Sequence, residues 1–507
     1  MKFRSFSTLT FAAALLALAA GPLRAEDKPL LIGINADPDV LDMTVSVNPP
    51  QGLATLTNVY EGIWAFNPDG SKRPGIVESF DASEDGKLIT LHLRKGVKFQ
   101  SGDPFTSADI LWSHDRMLKK TWFYSGFARF IDHMEAPDDY TVKVIFKQVD
   151  SQFIQIPATI IASKTYFERV GEDEFKKHPA GLGPYKIAAY VPGQYIDLEA
   201  WDGYYGAKPT VKKARFVFVK DDNTRVAKLQ AGEVDMIMAT SYASCDDLAK
   251  AGFTLVKLPV HPTQSIQYNL NNEKAPWHDL RVRKAMAYAV DKKAIVKGLL
   301  HGYPTDYPRL MPDELGFDAG LMDYTYDPAK AKQLATEAGY PNGWTMPLFY
   351  SSGVYFGTQE TAEAVALYLK QNLNVTTKVQ GIELMQLLQM IGKIAQDPNG
   401  EYVGVAGLPI ANLPTPIEGV SLAYYGKSPF SFFHNDEMDA LFEKAETILD
   451  TPKQAPLIKR MMEIEQEQLP TITLWQYVDV YAMKKNVTYR PAVHGLEVVY
   501  LPSVTVK

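Results

Sequence analysis

The chain has 507 residues, of which 46% are hydrophobic and 22% are charged, an ordinary balance for a globular protein. A single hydrophobic core stops growing near roughly 250–300 residues, so we expect at least two lobes. The formal net charge is −7, and Lys and Arg are scattered along the chain. This argues against a nucleic-acid partner and against an anionic membrane surface, because both need clustered cations.

The first 25 residues have the pattern of a secretory signal. Lys2 and Arg4 precede an apolar run, Leu9–Ala20, which is too short for a membrane span of about 20 residues. Ala25 supplies a small residue at the cleavage point. We therefore predict a cleavable signal peptide over residues 1–25. No later apolar stretch reaches the length of a span, so the mature chain is predicted not to be embedded in a membrane.

The chain has one cysteine, Cys245, so no disulfide can form within it. No cysteine follows the predicted signal, which argues against a lipid anchor at the processed N-terminus. An exported protein without an anchor is retained only where a second membrane encloses it. The predicted location is therefore the periplasm of a Gram-negative bacterium. Cys245 is predicted to be a packed small hydrophobe rather than a nucleophile.

Short strand-like runs alternate with helical stretches, which predicts mixed sheets with helices on their faces. Helix starts are indicated by side chains that can accept from free backbone N–H groups, such as Thr106 with Asp109 three residues later. Gly339, directly after an apolar stripe, indicates a helix end. In chain order the predicted elements are a strand Leu30–Ile34, a strand Ile89–Leu93, a helix from Thr106 toward Lys119, a strand Thr141–Phe146, helices after Asp279, Asp291 and Asp327, a helix near 359–371 and a helix over 437–449.

Ordered motifs from about residue 30 to 500 resemble one known family. The most specific is Leu93-Arg94-Lys95-Gly96-Val97-Lys98-Phe99, which continues through Gly102-Asp103-Pro104-Phe105-Thr106 to Ala108-Asp109-Ile110. The others include Tyr60-Glu61-Gly62-Ile63, Gly181-Leu182-Gly183-Pro184-Tyr185, Leu229-Gln230-Ala231-Gly232-Glu233-Val234-Asp235, Asp279-Leu280-Arg281-Val282-Arg283-Lys284-Ala285 and Tyr326-Asp327-Pro328. In this order they closely resemble the family 5 extracellular solute-binding proteins, which serve ABC importers of peptides, nickel and opines.

The resemblance implies an α/β fold of the type II periplasmic-binding-protein class (cluster C). Such a fold has two lobes of mixed sheets with helices, a hinge of two crossings and an extra subdomain in lobe one. The implied division is 1–25 for the signal peptide, 26–58 for the first part of subdomain I of lobe one, 59–178 for its extra subdomain II, 179–265 for the second part of subdomain I, 266–478 for lobe two (domain III) and 479–507 for the return to lobe one.

The same resemblance implies the function. The chain is expected to capture a small organic solute by closing its two lobes and to deliver it to the inner-membrane permease subunits of an ABC importer, which work with cytoplasmic ATPases. A ligand that contacts both lobes binds the closed form better and so shifts the population toward it. We expect a monomer that needs no cofactor and binds no nucleic acid.

One difference from the family pattern bears on the class of ligand. Peptide-binding members carry an Asp in a Trp-x-x-Asp-Tyr-x-Asp-Pro-like stretch, where it pairs with the ammonium group of the peptide. The corresponding stretch here is 408–416, and it aligns Asn412 with that Asp. Because Asn is neutral, the strongest anchor for an ammonium group is missing. An ordinary peptide is therefore not the expected ligand; a di- or oligopeptide binder with another anchor and a nickel-chelate binder stay as alternatives.

The residues around the implied site are aromatic or neutral and polar. Together they favour a cleft that stacks a ring or sugar and binds it by hydrogen bonds, whereas any single ring is more readily explained as packing in a lobe interface. The candidate ligand-binding residues are Asn412, Tyr268, Asn269, Tyr355, Tyr424 and Trp475.

The chain shows no catalytic or metal-binding motif. Gly426-Lys427-Ser428-Pro429-Phe430 fails the Gly-x-Ser-x-Gly pattern at its last place. The nine histidines never pair at the spacing of zinc ligands. We therefore expect no catalytic residue and no metal site, and a periplasmic hydrolase is the alternative from another class.

Overall fold

The computed structural model describes residues 28–46, 49–66, 72–120, 124, 128–154, 160–305, 316, 318, 320–321, 324–352, 356–395, 397, 399–406, 417, 420, 423–428, 430–491 and 499–507. The predicted signal peptide, residues 1–25, lies outside these residues. Within the part of the chain that is described, no helix is both long and apolar enough to cross a bilayer.

Twenty strands and thirteen α-helices are assigned in the described residues, and they are numbered here in chain order. The strands are β1 Leu30–Ile34, β2 Glu61–Gly62, β3 Ala65–Phe66, β4 Lys72–Arg73, β5 Val77–Ala82, β6 Leu88–Leu93, β7 Ile131–Asp138, β8 Thr141–Phe146, β9 Ile160–Ile161, β10 Tyr185–Val191, β11 Tyr195–Ala200, β12 Lys213–Phe218, β13 Met236–Ile237, β14 Thr254–Tyr268, β15 Thr345–Ser352, β16 Thr376–Glu383, β17 Val403–Ala406, β18 Thr471–Met483, β19 Val487–Tyr489 and β20 Val504–Val506. The helices are α1 Pro49–Leu56, α2 Ser107–Lys120, α3 Lys164–Val170, α4 Glu172–Lys177, α5 Asp222–Gln230, α6 Tyr242–Lys250, α7 Leu280–Ala289, α8 Lys292–Gly298, α9 Pro328–Glu337, α10 Thr358–Leu373, α11 Leu384–Ile394, α12 Asp436–Glu446 and α13 Ala455–Gln468.

The helix caps confirm the local predictions. Asp109 accepts hydrogen bonds from the backbone N–H and the hydroxyl of Thr106 at the start of α2. Asp279, Asp291 and Asp327 each accept from a backbone N–H in the first turn of α7, α8 and α9. Each bond satisfies a donor that has no partner within its own helix. The predicted helix starts at these aspartates are therefore correct.

One ten-stranded sheet dominates the structure, in the order β10-β11-β12-β1-β13-β18-β14-β17-β15-β16. Strands β1, β12 and β13 run parallel to one another at one side of the sheet. Strands β15, β16 and β17 form a second parallel set at the other side. The long antiparallel strands β14 and β18 lie between the two sets and pair from Thr254↔Met483 to Gln267↔Thr471.

The register shows that the two parallel sets run in opposite directions, each toward the middle of β14 and β18. In the first set, β13 pairs with the Met483 end of β18 and runs from there toward its middle. In the second set, β17 pairs with the Tyr268 end of β14 and also runs toward the middle, from Val403 to Ala406. The carboxyl ends of both sets therefore face the same stretch of the crossing strands, where open α/β sheets place ligands.

The pairing of β14 with β18 is interrupted at this middle stretch. Pro259 pairs with Val478 and Thr263 pairs with Gln476, so three residues of β14 lie opposite one residue of β18. A second irregularity follows between Gln264 and Ser265. Such extra residues break the hydrogen-bond ladder and bend the strand.

A second sheet, in the order β5-β6-β8-β7, has its own hydrophobic core. Buried residues of α2 such as Ile110 and Met117 belong to that core, together with the alternating apolar residues of β6 and β8. These elements lie within the predicted extra subdomain, residues 59–178. The boundaries of the six predicted segments stay predictions.

Candidate functional site

The candidate site is the middle of β14 and β18, where the two sets of carboxyl ends meet. On the side of the first set, Asn35 follows β1 and Thr240 follows β13. Asn35 Oδ1 and Thr240 Oγ1 are buried without a hydrogen-bond partner. Ala239, between β13 and Thr240, has a left-handed backbone with φ of +50°. Arg225 fixes this turn, because its Nη2 donates to the carbonyl of Ala239 at 2.5 Å.

One face of the crossing strands is lined by neutral polar side chains. Residues that pair directly across an antiparallel ladder lie on the same face. Three successive pairs on this face are polar on both strands. We call these six residues the polar lane: Thr263 with Gln476, Ser265 with Thr473, and Gln267 with Thr471.

Two amide groups of the polar lane have unpartnered polar atoms. Gln476 Oε1 accepts from Thr305 Oγ1 at 3.1 Å, but Gln476 Nε2 is buried with no partner. Gln267 Oε1 is also buried with no partner. Leaving such a group unsatisfied costs about 1–3 kcal/mol. Buried polar groups of this kind in a native protein therefore indicate a missing partner.

A tyrosine hydroxyl lies next to the polar lane. Tyr402 stacks on Phe349 with ring centroids 5.8 Å apart, and its Oη is buried and unpartnered. A Cβ at Gly404 would lie 2.1 Å from this Oη. Because Gly404 pairs with Gln267, the hydroxyl lies beside the lane. Burial raises the pKa of Tyr402, so the hydroxyl stays protonated at neutral pH.

A buried carboxylate lies at one end of the polar lane. Glu465 Oε1 accepts from Thr471 Oγ1 at 3.0 Å and from Tyr424 Oη at 3.2 Å. Tyr424 Oη and Thr471 Oγ1 are themselves 2.9 Å apart. Of the predicted site residues, Tyr424 thus touches the lane. Glu465 was missed by sequence reasoning, although it lies at helical spacing from the buried Ile458, Met461 and Met462, where an acid is out of place.

The other predicted residues of the crossings lie on the opposite face. Trp475 pairs with Gln264, and its indole Nε1 donates to Thr361 Oγ1 of α10 at 3.3 Å. Tyr477 donates to Gln264 Oε1 and packs edge-on against Trp475. Tyr268 shares this face by alternation, and its buried Oη has no partner.

Asn269 holds a loop in place. Its Nδ2 donates to the carbonyl of Gly400 at 2.7 Å, and its Oδ1 accepts from the backbone N–H of Asn271 at 3.0 Å. Trp277 Nε1 donates to the carbonyl of Asn269 at 3.0 Å. Tyr355 and Asn412 lie outside the described residues. Of the four candidates that the structure describes, Tyr424 alone lies at the polar lane, and the ligand-binding roles of all six residues stay predictions.

The described residues contain no group of three or more His, Cys, Asp or Glu side chains that could hold a metal ion. Cys245 is buried in the main core, and burial raises the pKa of its thiol to about 12. Its Sγ donates to the carbonyl of Ser241. At neutral pH the thiolate that a nucleophile needs is therefore scarce, as expected for a packed small hydrophobe.

Comparison with known proteins shows which family the chain belongs to. A family model described as bacterial extracellular solute-binding proteins, family 5 Middle, matches residues 72–407. The chain belongs to this family. It is therefore a solute-binding protein of the kind that serves ABC importers, as the motifs predicted.

Individual relatives agree over nearly the whole chain. The glutathione-binding protein GsiB of Salmonella choleraesuis (strain SC-B67) is 27% identical over 498 residues, covering 93% of each chain. HbpA2 from Haemophilus parasuis superimposes with a TM-score of 0.81 at 22% identity, covering 95% of this chain and 100% of that one. AgaA in complex with agropinic acid, from A. tumefacien R10, gives 0.75 at 25% identity, covering 95% and 99%. These likenesses confirm the predicted type II periplasmic-binding-protein fold.

Proposed function

We propose that this family 5 protein is the periplasmic component of an ABC importer and captures a small organic solute by closing two lobes about the middle of β14 and β18. The observation that carries the proposal is the arrangement of the two parallel strand sets, whose carboxyl ends face the same interrupted stretch of the crossing strands. A bend there changes the angle between the two sets while each set keeps its own packing.

We take the two proposed lobes to be the predicted segments. Lobe one comprises residues 26–265 and 479–507, and lobe two comprises residues 266–478. The predicted crossing near 478 coincides with the interruption at Pro259↔Val478, whereas the predicted crossing near 266 lies a few residues beyond Thr263. The polar lane then begins at the interruption between the lobes and continues along β14 and β18 into lobe two.

The proposed ligand is not an ordinary peptide. The alignment gives the neutral Asn412 where an ammonium-binding Asp is expected, and the six residues of the polar lane are neutral as well. Relatives support a small organic solute, since GsiB is named for glutathione and AgaA was solved with agropinic acid. A peptide binder with another anchor and a nickel-chelate binder are the alternatives. Tyr424, Tyr268, Asn269, Trp475, Tyr355 and Asn412 are proposed ligand contacts, with Tyr424 best supported.

We further propose that the protein is exported by cleavage of residues 1–25, is retained in the periplasm as a monomer and has no enzymatic activity. The relatives are binding proteins rather than enzymes, and the thiol of Cys245 is buried and protonated. A periplasmic hydrolase is the rival of another class. It would need a nucleophile assembled from distant residues.

The test is a thermal-shift screen against peptides, opines, sugars, aromatic acids and nickel chelates. A binder gains stability by mass action, about 2.7 kcal/mol at a hundredfold excess over Kd, and does not consume the ligand. A saturable rise in Tm with an unchanged ligand supports the proposal. Turnover of the ligand would favour the hydrolase instead, and absence of any hit across the panel would count against a solute-binding role.

A further inference from the structure

The polar lane has hydrogen-bonding capacity that the described protein does not use. Gln476 has a free donor in Nε2, and Gln267 has a free acceptor in Oε1. Tyr402 Oη can both donate and accept. All three residues are more than nine-tenths buried. Together these groups can hydrogen-bond a partner that offers both a donor and an acceptor.

The six residues of the lane are uncharged, and the carboxyl group beside it, Glu465, lies at the Thr471 end. These six residues are Thr, Ser and Gln, and the hydroxyl of Tyr402 keeps its proton because burial raises its pKa. Away from Glu465, an ionised ligand group set against these side chains would lose its hydration without gaining an opposite charge. The lane therefore suits an uncharged part of a solute, such as one that contains amides or hydroxyls.

The distance between Gln267 and Gln476 along the crossing strands gives the length of the solute that can reach both. Gln267 and Thr263 are four residues apart on β14, which corresponds to roughly 13 Å at about 3.3 Å per residue. Gln476 lies opposite Thr263. A solute that reaches both glutamines is therefore on the order of 10 Å long, the length of a short peptide or a trisaccharide.

We propose that Gln267, Tyr402 and Gln476 bind the uncharged middle section of an elongated solute through neutral hydrogen bonds. This inference rests on the proposed solute-binding function and adds the class of solute. All three residues lie in the proposed lobe two, residues 266–478, so the solute supplies the missing hydrogen-bond partners on that side of the cleft.

The test uses the full-length mature protein with Gln267→Met and Gln476→Met, which keep the side-chain length and remove the amide. The probes are a capped tripeptide (N-acetyl-trialanine amide), raffinose and succinate. We expect the capped tripeptide or raffinose to bind, and each variant to weaken that binding at least tenfold. The thermal stability of the empty Gln267→Met variant should be unchanged or higher, because a buried unsatisfied group has been removed, whereas Gln476→Met also loses the hydrogen bond from Thr305 and should be less stable than Gln267→Met.

Gln264→Met is the matched control, because Gln264 lies on the same strand but on the opposite face. Its Oε1 accepts from Tyr477, and its Nε2 is buried without a partner, as Gln476 Nε2 is. This variant should keep its affinity, because Gln264 faces away from the lane, and a loss as large as that of Gln476→Met would count against the inference. Binding of succinate alone, or variants that bind as tightly as the wild type, would overturn the inference. Neither outcome would contradict the proposed function. That function fails only if no solute of the wider panel binds.

Discussion

Arg129 and Glu446 form an ion pair between parts of the chain that are distant in sequence. Arg129 Nη2 lies 2.8 Å from Glu446 Oε1. The backbone N–H of Ser151 donates to the carbonyl of Glu446 at 3.0 Å, and Leu449 packs against the core of the second sheet. Since Glu446 ends α12 in the proposed lobe two, this contact connects the two proposed lobes away from the crossing strands.

The first prediction concerns this contact. Glu446→Gln removes the charge and leaves the side-chain size unchanged. Because the pair joins the two proposed lobes, the variant should bind its solute roughly tenfold more weakly, since a hydrogen bond to a charged group contributes about 1.5–3 kcal/mol. The loss should appear as faster dissociation in stopped-flow measurements, because the contact must break before the solute leaves.

The control for this prediction is Glu437→Gln. Glu437 is on the same helix and pairs with Arg460 at 2.7 Å, within the proposed lobe two. Its removal should leave dissociation unchanged. Equal effects of the two substitutions on the dissociation rate would show that the Arg129–Glu446 pair has no special part in closure.

The second prediction concerns Gly404. A methyl group there would lie 2.1 Å from Tyr402 Oη, so Gly404→Ala must displace a buried ring. We expect the free energy of unfolding to fall by about 1–3 kcal/mol, as in other overpacked cores, and solute affinity to fall with it. Gly392→Ala is the control, because a Cβ at Gly392 in α11 meets nothing within 4 Å. That variant should be slightly stabilised, since Ala is the better helix former. A Gly404→Ala protein with wild-type stability and affinity would contradict the described packing of Tyr402.

The third prediction concerns acid stability. Hydrogen bonds from Arg169, at 2.7 and 2.8 Å, hold the pKa of Asp103 below its usual value. A carboxyl whose pKa is lower in the folded protein stabilises it above the unfolded pKa, and this contribution is lost as the pH falls through the folded pKa. Asp103→Asn should therefore make the free energy of unfolding less dependent on pH below about 4. Urea denaturation across the acid range measures this dependence. An unchanged dependence would mean that the pair adds nothing in solution.

The elements that could be predicted from the sequence are those with local signals. Asp279, Asp291 and Asp327 each indicate a helix start by themselves, because a cap depends only on the next two or three residues. The strand Leu30–Ile34 was likewise predicted with its observed bounds. Family motifs supplied the overall fold, which no local signal contains.

The polar lane could not be predicted, because it depends on pairing between residues about 200 positions apart. Thr263, Ser265 and Gln267 show a period of two in the sequence, but that pattern is also typical of a solvent-facing strand. Only the register with Gln476, Thr473 and Thr471 shows that the face is polar on both strands and largely buried. The same register pairs Trp475 with Gln264, and its indole donates to Thr361, away from the lane.

The most direct test of hinge closure is small-angle X-ray scattering of the mature protein, with and without a saturating solute identified in the thermal-shift screen. We predict that the solute lowers the radius of gyration, because the two strand sets move together about the middle of β14 and β18. A solute that saturates the protein and leaves the scattering curve unchanged would contradict closure between two lobes.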